Sequence, residues 1–418
     1  MDGSPQYPMP AGVHAEPHEL LDLRPDAEIE AGLLQPDPGS AARSEKNVWF
    51  FWDGGYGAMH GYTKRNVIAW HRRLSRRGWT VRVVDRAPGS AGHVGRYLDV
   101  DDPSLFPAAF ARGALAGTYA AQHYSDLVRW PLLLRYGGVY ADVGLLQIGD
   151  LDRLWRETVG SEAAGADGAA RSPYEVLTYN MGGPRDYRPT NYFLGARRGN
   201  ALFARCHRLF LALWARGGGR ASTEGMHADP LLAGVPLLQD SRGMLGEAGR
   251  RELSDYITQG QVLTAVLGLA DEADGWDGPR YAAERVFAVD FAAGSQLANE
   301  LTGWDGGLAF ALLSQRLPAA GGEAETETET AEQARARGLV EACLARSFGF
   351  KLAHGLIVKV MGETLGSLWR RHPGSDDVPG TYAHWLRYAT VYWCPDELPS
   401  PVRFERIEPY RRGPLLLQ

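Results

Sequence analysis

The sequence predicts an α/β fold in which a mostly parallel sheet is flanked by helices, followed by a mainly helical C-terminal extension. Residues 48–52 form a short apolar run that ends at a glycine-rich loop, which is typical of a buried first strand. A helix with a polar, arginine-rich side follows and ends at Gly78, and residues 79–84 then read as a second strand. Apolar strands that alternate with helices are typical of a parallel sheet covered on both faces.

A second helix is predicted over residues 119–136, followed by Gly137 and Gly138 and by a strand over 139–143. Pro131 lies inside this helix. Because an interior proline costs a helix about 3 kcal/mol, we expect a kink or a restart of the helix near Trp130.

The composition is that of an ordinary globular protein. The chain has 418 residues, of which 44% are hydrophobic and 22% charged, and its net charge is -6. A negative net charge disfavours nucleic acid as a partner. The three cysteines are far apart and show no zinc-binding spacing, which favours a reducing compartment.

The predicted organisation has four parts. Residues 1–45, rich in Pro, Gly, Ala and acidic side chains, are expected to be a mostly disordered lead, and 46–318 the main ligand-binding domain. Within that domain, 160–170 is expected to be a surface insertion. Residues 319–334 contain alternating Glu and Thr and are expected to be a low-complexity linker, and 335–418 a helical, aromatic-rich extension.

Neither a signal peptide nor a transmembrane segment is predicted. The N-terminus lacks a basic segment followed by an apolar run, and no apolar stretch is long enough to span a bilayer. We therefore expect a cytoplasmic location, with peripheral contact to a membrane left open.

The densest group of chemically active residues follows this pattern of strands and helices. Asp126 and Arg129 are three residues apart in a helix and can share a face, where together they can hydrogen-bond to a sugar or a ribose. The Gly-Gly turn then lets Asp142 emerge at the carboxyl end of a strand, where open α/β sheets bind ligands. The pattern predicts a ligand site at this edge of the sheet.

Over residues 46–240 the sequence resembles glycosyltransferases with a DXD-containing sugar-binding region, and especially the capsular polysaccharide synthesis protein family. The resemblance rests on VWFFWDGG at 48–55, SDLVR at 125–129, YGGVYAD at 136–142 and TNYFLGA at 190–196. It implies a glycosyltransferase A-type, Rossmann-like fold and makes residues 46–318 a nucleotide-sugar-binding domain.

The resemblance also implies roles for individual residues: the aromatic strand holds the nucleotide base, and the aspartates and the arginine hold the sugar and ribose of the donor. The residues expected to bind the donor are Trp49, Trp52, Asp53, Gly54, Asp126, Arg129, Gly138, Tyr140, Asp142 and Asn191.

The DXD pattern is incomplete, since Gly144 stands where the second aspartate would be. Loss of a carboxylate weakens a site for a hard cation such as Mn²⁺ or Mg²⁺. We nevertheless expect a divalent metal at Asp142, because the capsular family commonly lacks the second aspartate too. Residues that could complete the metal site from elsewhere are Asp150, Asp152, His227 and Asp229.

Each candidate also has a purely structural alternative. Asp126 with Arg129 can be an ion pair, Asp142 can cap the next turn, and Trp49 and Trp52 can be core residues. Asn191 can be a turn amide and His227 a solvated histidine. A dinucleotide-binding loop at 53–61 is disfavoured, because its glycines do not follow the GxGxxG spacing.

The sequence thus favours a hexosyltransferase-like enzyme that moves a sugar from a nucleoside-diphosphate donor to a glycan, a lipid-linked acceptor or another hydroxyl, with retention of configuration. No residue is assigned as a nucleophile. The alternative is a degenerate family member that binds a nucleotide sugar or glycan without turnover, within a polysaccharide-assembly complex. A Gly144→Asp substitution that created metal-dependent activity would favour that alternative.

Overall fold

A computed structural model describes residues 7–160, 172–240, 243–318 and 329–417. Its strands are β1 Val13–Ala15, β2 Asn47–Phe51, β3 Thr80–Val84, β4 Gly138–Ala141, β5 Leu145–Gln147, β6 Val176–Asn180, β7 Pro189–Ala196, β8 Leu269–Asp271, β9 Trp276–Asp277, β10 Val286–Asp290, β11 Gly349–Lys351, β12 Trp393–Pro395 and β13 Arg411–Arg412.

The helices lie between and after these strands. They are α1 Asp26–Leu34, α2 Gly61–Leu74, α3 Ala108–Ala111, α4 Ala120–Tyr136, α5 Leu151–Glu157, α6 Ala201–Ala215, α7 Glu247–Tyr256, α8 Thr258–Leu267, α9 Gly278–Arg285, α10 Phe291–Ser295, α11 Leu297–Leu301, α12 Gly306–Leu313, α13 Ala331–Arg346, α14 Leu356–Met361, α15 Leu365–Arg371 and α16 Tyr382–Tyr392.

The central sheet has the strand order β10-β6-β7-β4-β2-β3 in the described part of the chain. β7 runs antiparallel to both of its neighbours, whereas β10 with β6, β4 with β2 and β2 with β3 pair in parallel. The sheet is therefore mixed, with β7 as the reversed strand. The carboxyl ends of β2, β3, β4, β6 and β10 meet at one edge, together with the beginning of β7.

Both faces of this sheet are buried, as expected for strands that read as continuous apolar runs. Successive residues of a strand point to opposite faces. Accordingly, Val48 and Phe50 pack in one hydrophobic cluster with Trp70 of α2, while Trp49 packs in another with Trp130 of α4. The predicted strands at 48–52, 79–84 and 139–143 are confirmed as β2, β3 and β4.

The helix α4 continues through Pro131 without interruption, so of the two outcomes expected near Trp130, a kink or a restart of the helix, the restart does not occur. Trp130, Pro131 and Leu132 are all buried. Tertiary packing on this scale offsets the proline's missing amide and keeps the helix continuous.

Gly138 begins β4, which pairs in parallel with the neighbouring strand β2. Its φ angle is 101°, and a Cβ there would lie 2.2 Å from the carbonyl oxygen of Asn47. Both the backbone conformation and the close approach of the two strands therefore require glycine. This glycine allows the chain to enter the sheet immediately after Gly137, which ends α4, and it sets the position of the strand that precedes Asp142.

We expect Gly138→Ala to lower the free energy of unfolding by at least about 3 kcal/mol, because a backbone clash is added to an unfavourable φ. Gly199→Ala is the matched control, since Gly199 also has a positive φ, 70°, but open space at its Cβ position. It should cost only about 1 kcal/mol. Equal losses in urea unfolding would show that the contact with Asn47 is unimportant.

The described part of the N-terminal segment, residues 7–45, contains regular secondary structure, so the expectation of a disordered lead over 1–45 is wrong for these residues. β1 pairs with β12, and Ile29 and Leu33 of α1 are buried in the cluster that also contains Trp70. The segment has too few apolar residues for a core of its own, but its few apolar side chains join a core built by the rest of the chain.

The helix α13 begins at Ala331, inside the predicted linker 319–334, with Thr330 and Gln333 forming a capping box. Residues 319–328 of that linker, and the predicted insertion apart from Gly160, lie outside the described residues. Across the ranges that the structure describes, every helix is too short or too polar to span a lipid bilayer.

Candidate functional site

Polar side chains gather where β4 ends, at the edge of the sheet formed by the carboxyl ends of its parallel strands. Asp142 follows β4, and its backbone amide donates a hydrogen bond to the carbonyl oxygen of Tyr192 in β7 (2.9 Å). Asn191 lies at the beginning of the same reversed strand. The antiparallel placement of β7 therefore brings Asn191 beside Asp142, which sequence spacing alone does not indicate.

Arg129, which projects from α4, links these groups. Its Nη2 donates to Oδ1 of Asp142 (3.0 Å), and its Nη1 lies 2.9 Å from Oδ1 of Asp126. Nη1 also donates to the carbonyl oxygen of Asn191 (2.7 Å) and to Oε1 of Gln259 in α8 (3.0 Å). The planar guanidinium thus joins two carboxylates that come from different elements.

The charge of Arg129 is preserved although the residue is buried. Burial alone would lower the pKa of a guanidinium, but the charges of Asp126 and Asp142 outweigh it and raise the pKa of Arg129. The ring of Tyr140 lies 4.7 Å from the guanidinium carbon, and its hydroxyl forms a 2.6 Å hydrogen bond with Ser125. Burial raises the pKa of Tyr140 to about 12, so its hydroxyl remains neutral while its ring packs against Arg129.

Asp126 is a buried carboxylate whose oxygens already have partners. Oδ1 accepts a hydrogen bond from Nδ2 of Asn191 (3.1 Å), and Oδ2 lies 3.3 Å from Nδ1 of His123. The main-chain oxygen of Asp126 accepts from Nε2 of Gln259 (2.7 Å). Asp126 and Asn191 therefore hold the shape of the site around Arg129.

Asp142 is the accessible carboxylate of this group. Its side chain is 28% exposed, compared with 6% for Asp126. Its Oδ2 lies 3.3 Å from Nζ of Lys351. An incoming ligand can thus reach Asp142 while Arg129 and Lys351 hold its two oxygens.

Lys351 is a site residue that sequence reasoning missed. It ends β11, which pairs antiparallel with β5 immediately after the loop that carries Asp142. The signal available in the sequence was a single lysine within the apolar run FGFKL at 348–352. A charge at a buried strand position needs a partner, but the sequence does not show that the partner lies more than 200 positions earlier.

The same C-terminal segment packs against Gly144, the position where the expected DXD pattern would have its second aspartate. The amide of Leu352 donates to the carbonyl oxygen of Gly144 (2.9 Å), and a Cβ at Gly144 would lie 3.3 Å from both the imidazole of His354 and the carbonyl oxygen of Leu352. Burial, with the nearby charge of Lys351, lowers the pKa of His354 to about 3. Gly144 therefore faces a neutral histidine and a lysine-bearing segment.

The aromatic strand divides into a buried part and an accessible part. Trp49 is completely buried, and its Nε1 donates to the carbonyl oxygen of Gly137 (3.0 Å), so it has no surface for a ligand. Trp52 is half-buried where β2 ends and makes an edge-on contact with His60. Asp53 is partly exposed and pairs with Arg86 (3.1 Å) beside the exposed Gly54.

The other candidate metal ligands have separate partners. His227 pairs with Asp255 (2.8 Å), and Asp229 accepts from the amide of Leu231 (3.0 Å) and pairs with Arg216 (3.4 Å).

Asp150 caps α5 through the amide of Arg153, and Asp152 pairs with Lys46 (2.7 Å). Within the described ranges, no three His, Cys, Asp or Glu side chains form a group that could hold a metal ion.

Comparison with known proteins finds similarity to glycosyltransferases. The family described as capsular polysaccharide synthesis protein matches residues 22–218. Glycosyltransferase afumC of Aspergillus fumigatus (strain CBS 144.89 / FGSC A1163 / CEA10) is 33% identical over 92% of this chain and 93% of that protein. O-glycosyltransferase braB of Annulohypoxylon truncatum is 31% identical, covering 94% and 92%, and O-glycosyltransferase PaGT of Phomopsis amygdali is 31% identical, covering 95% and 94%. The similarity to these relatives extends through the segment that supplies Lys351.

Proposed function

The chain belongs to the glycosyltransferases of the capsular polysaccharide synthesis protein family, and we propose that it moves a sugar from a nucleoside-diphosphate donor to a hydroxyl acceptor. The observation that carries this proposal is the buried network in which Arg129 orients Asp142 at the carboxyl edge of the central sheet. Ligands of open α/β sheets bind at this edge.

The donor is proposed to lie across this edge in a glycosyltransferase A-type arrangement. Asp142 accepts hydrogen bonds from hydroxyl groups of the donor, since its side chain is the accessible carboxylate held by Arg129. Trp52 and Asp53, where β2 ends, line the neighbouring part of the edge and are suited to contact the base and ribose. Trp49, Gly138 and Tyr140 support the site from within, as their burial indicates.

In the proposed reaction the acceptor oxygen forms a bond to the anomeric carbon on the face that the diphosphate leaves, so configuration is retained. The bond from that carbon to the diphosphate oxygen breaks, and its electron pair stays on the oxygen. The hydroxyl proton of the acceptor passes to the departing diphosphate. The acceptor is a glycan, a lipid-linked molecule or another hydroxyl compound. Catalysis then comes from positioning and from stabilising the leaving group.

The residues around Asp142 do not fit a hard divalent cation. Such a cation needs several oxygen ligands, but both oxygens of Asp142 contact a cationic side chain, and Gly144 provides no carboxylate. His227 and Asp229 are held by partners of their own. No step of the proposed reaction is therefore assigned to a metal.

The proposed function is tested by incubating the purified chain with a panel of UDP- and GDP-sugars and measuring both binding of the donor and release of the nucleoside diphosphate. We expect one donor to be consumed, slowly with water and faster when a hydroxyl acceptor is added. Donor binding without release would support the alternative of a nucleotide-sugar-binding protein. Neither binding nor release across the panel would contradict the proposal.

A further inference from the structure

Lys351 is a buried cation at the accessible carboxylate of the site. Its side chain is 11% exposed, and Nζ donates to the carbonyl oxygen of Leu352 (2.9 Å) and lies 3.3 Å from Asp142. Burial lowers the pKa of the Lys351 ammonium, and the charge of Asp142 acts in the opposite direction. An ammonium has three donor hydrogens, so two protein acceptors leave capacity for a ligand.

The backbone fixes this lysine next to the position of the missing aspartate. β11 pairs with β5 in the register Lys351 opposite Leu145, and the next hydrogen bond joins Leu352 to Gly144. A longer side chain at position 144 would press against His354 and the backbone of Leu352. The loss of the second carboxylate and the presence of the lysine are therefore parts of one packed arrangement.

The absence of a carboxylate at Gly144 and the presence of Lys351 compensate each other in charge. Two aspartates with one divalent cation have a net charge of zero, and so do one aspartate and one ammonium. Replacing an aspartate by Gly144 and a metal by Lys351 thus preserves the local net charge. The ammonium remains a compact positive charge of the kind that binds phosphate groups in other proteins.

We propose that Lys351 is a catalytic residue that binds the donor diphosphate in the place of a divalent metal, so that transfer is independent of metal. This inference rests on the proposed function and concerns the same site. As the bond to the anomeric carbon breaks, the electron pair goes to the diphosphate oxygen, and the nearby ammonium stabilises that charge. The lysine keeps its own proton, and the proton released by the acceptor passes to the diphosphate.

The test measures binding of UDP and GDP to the full chain, once after treatment with a chelator and once after addition of Mn²⁺. Uridine and guanosine are the control ligands, because they lack the diphosphate. For the nucleotide that binds, we expect dissociation constants within about threefold of each other under the two conditions. Lys351→Met should weaken diphosphate binding by about tenfold or more, while nucleoside binding stays within about twofold. Lys351→Arg keeps the charge and should recover part of the affinity.

Lys359→Met is the matched control, because Lys359 is an exposed lysine of the same segment that pairs with Glu252. It should leave binding unchanged. Binding that requires Mn²⁺ in the unmodified protein would overturn this inference alone, even if Lys351→Met failed to fold. Equal loss of nucleoside and diphosphate binding in a folded Lys351→Met variant would also overturn it. No nucleotide binding under either condition would overturn the proposed function as well.

Discussion

Arg129→Met is expected to lower the free energy of unfolding by about 3–5 kcal/mol and to abolish transfer. The substitution keeps much of the side-chain volume but leaves the Asp126 carboxylate buried without its cationic partner, at a site where both residues are nearly inaccessible. It also removes the donor that holds Asp142. Chemical unfolding and an assay of donor consumption measure the two effects separately.

Arg135→Met is the control for this prediction, since Arg135 lies on the same helix α4 but is exposed. It should change stability by less than about 1 kcal/mol. Arg129→Lys should fold better than Arg129→Met yet remain inactive, because an ammonium cannot span both carboxylates. A stability loss for Arg129→Met no greater than that of the control would contradict the role assigned to the network.

Asp142→Asn is expected to reduce the kcat/KM for transfer by about 10³-fold or more, which corresponds to about 4 kcal/mol of transition-state stabilisation. The amide is almost isosteric but carries no charge to hold Lys351 and accepts hydrogen bonds more weakly. Because the Asp142 side chain is 28% exposed, the free energy of unfolding should change much less than for Arg129→Met.

Asp290→Asn makes the same chemical change at the same edge of the sheet, where β10 ends. Asp290 is exposed and caps α10 through the amide of Ala293, a role that asparagine fills equally well. Its activity should match that of the unmodified chain. Similar losses for Asp142→Asn and Asp290→Asn would mean that the edge, and not Asp142 itself, is sensitive to charge.

Much of the central fold could be predicted from local sequence. The runs that form β2, β3 and β4 are mostly apolar, short and bounded by glycine or polar residues, so hydrophobic periodicity and turn-forming residues identify them. The reversed direction of β7 could not be predicted, because strand direction depends on the path of the chain through three dimensions. The ordered N-terminal segment was missed for a similar reason, since its packing surface belongs to α2 and β12.

The part of the site that comes from one stretch of chain was predictable. Asp126, Arg129 and Asp142 lie within 17 consecutive residues, and helix and strand geometry bring them together as expected. Gln259 and Lys351 come from much later in the chain and carry no motif that marks them. They could be found only once the packing of α8 against β7 and the pairing of β11 with β5 were known.

The two tryptophans Trp49 and Trp52 show a different reason why the candidate site could not be predicted fully from the sequence. The resemblance assigns both Trp49 and Trp52 to the nucleotide base, but the environment of each side chain depends on where the strand lies and where it ends. Trp49 points into the core from the middle of β2, while Trp52 follows its last residue and reaches the edge. Alternation along a strand fixes the face of a residue, and the end of the strand decides whether it reaches the ligand edge.

The most direct test of donor binding at this edge is calorimetric titration of the unmodified chain and of Asp142→Asn with the panel of UDP- and GDP-sugars. We expect one donor to bind the unmodified chain and to bind the variant at least about tenfold more weakly, since the accessible carboxylate is the proposed contact with donor hydroxyls. Equal affinity of the two proteins for that donor would contradict the assignment of Asp142 and place the donor elsewhere on the molecule.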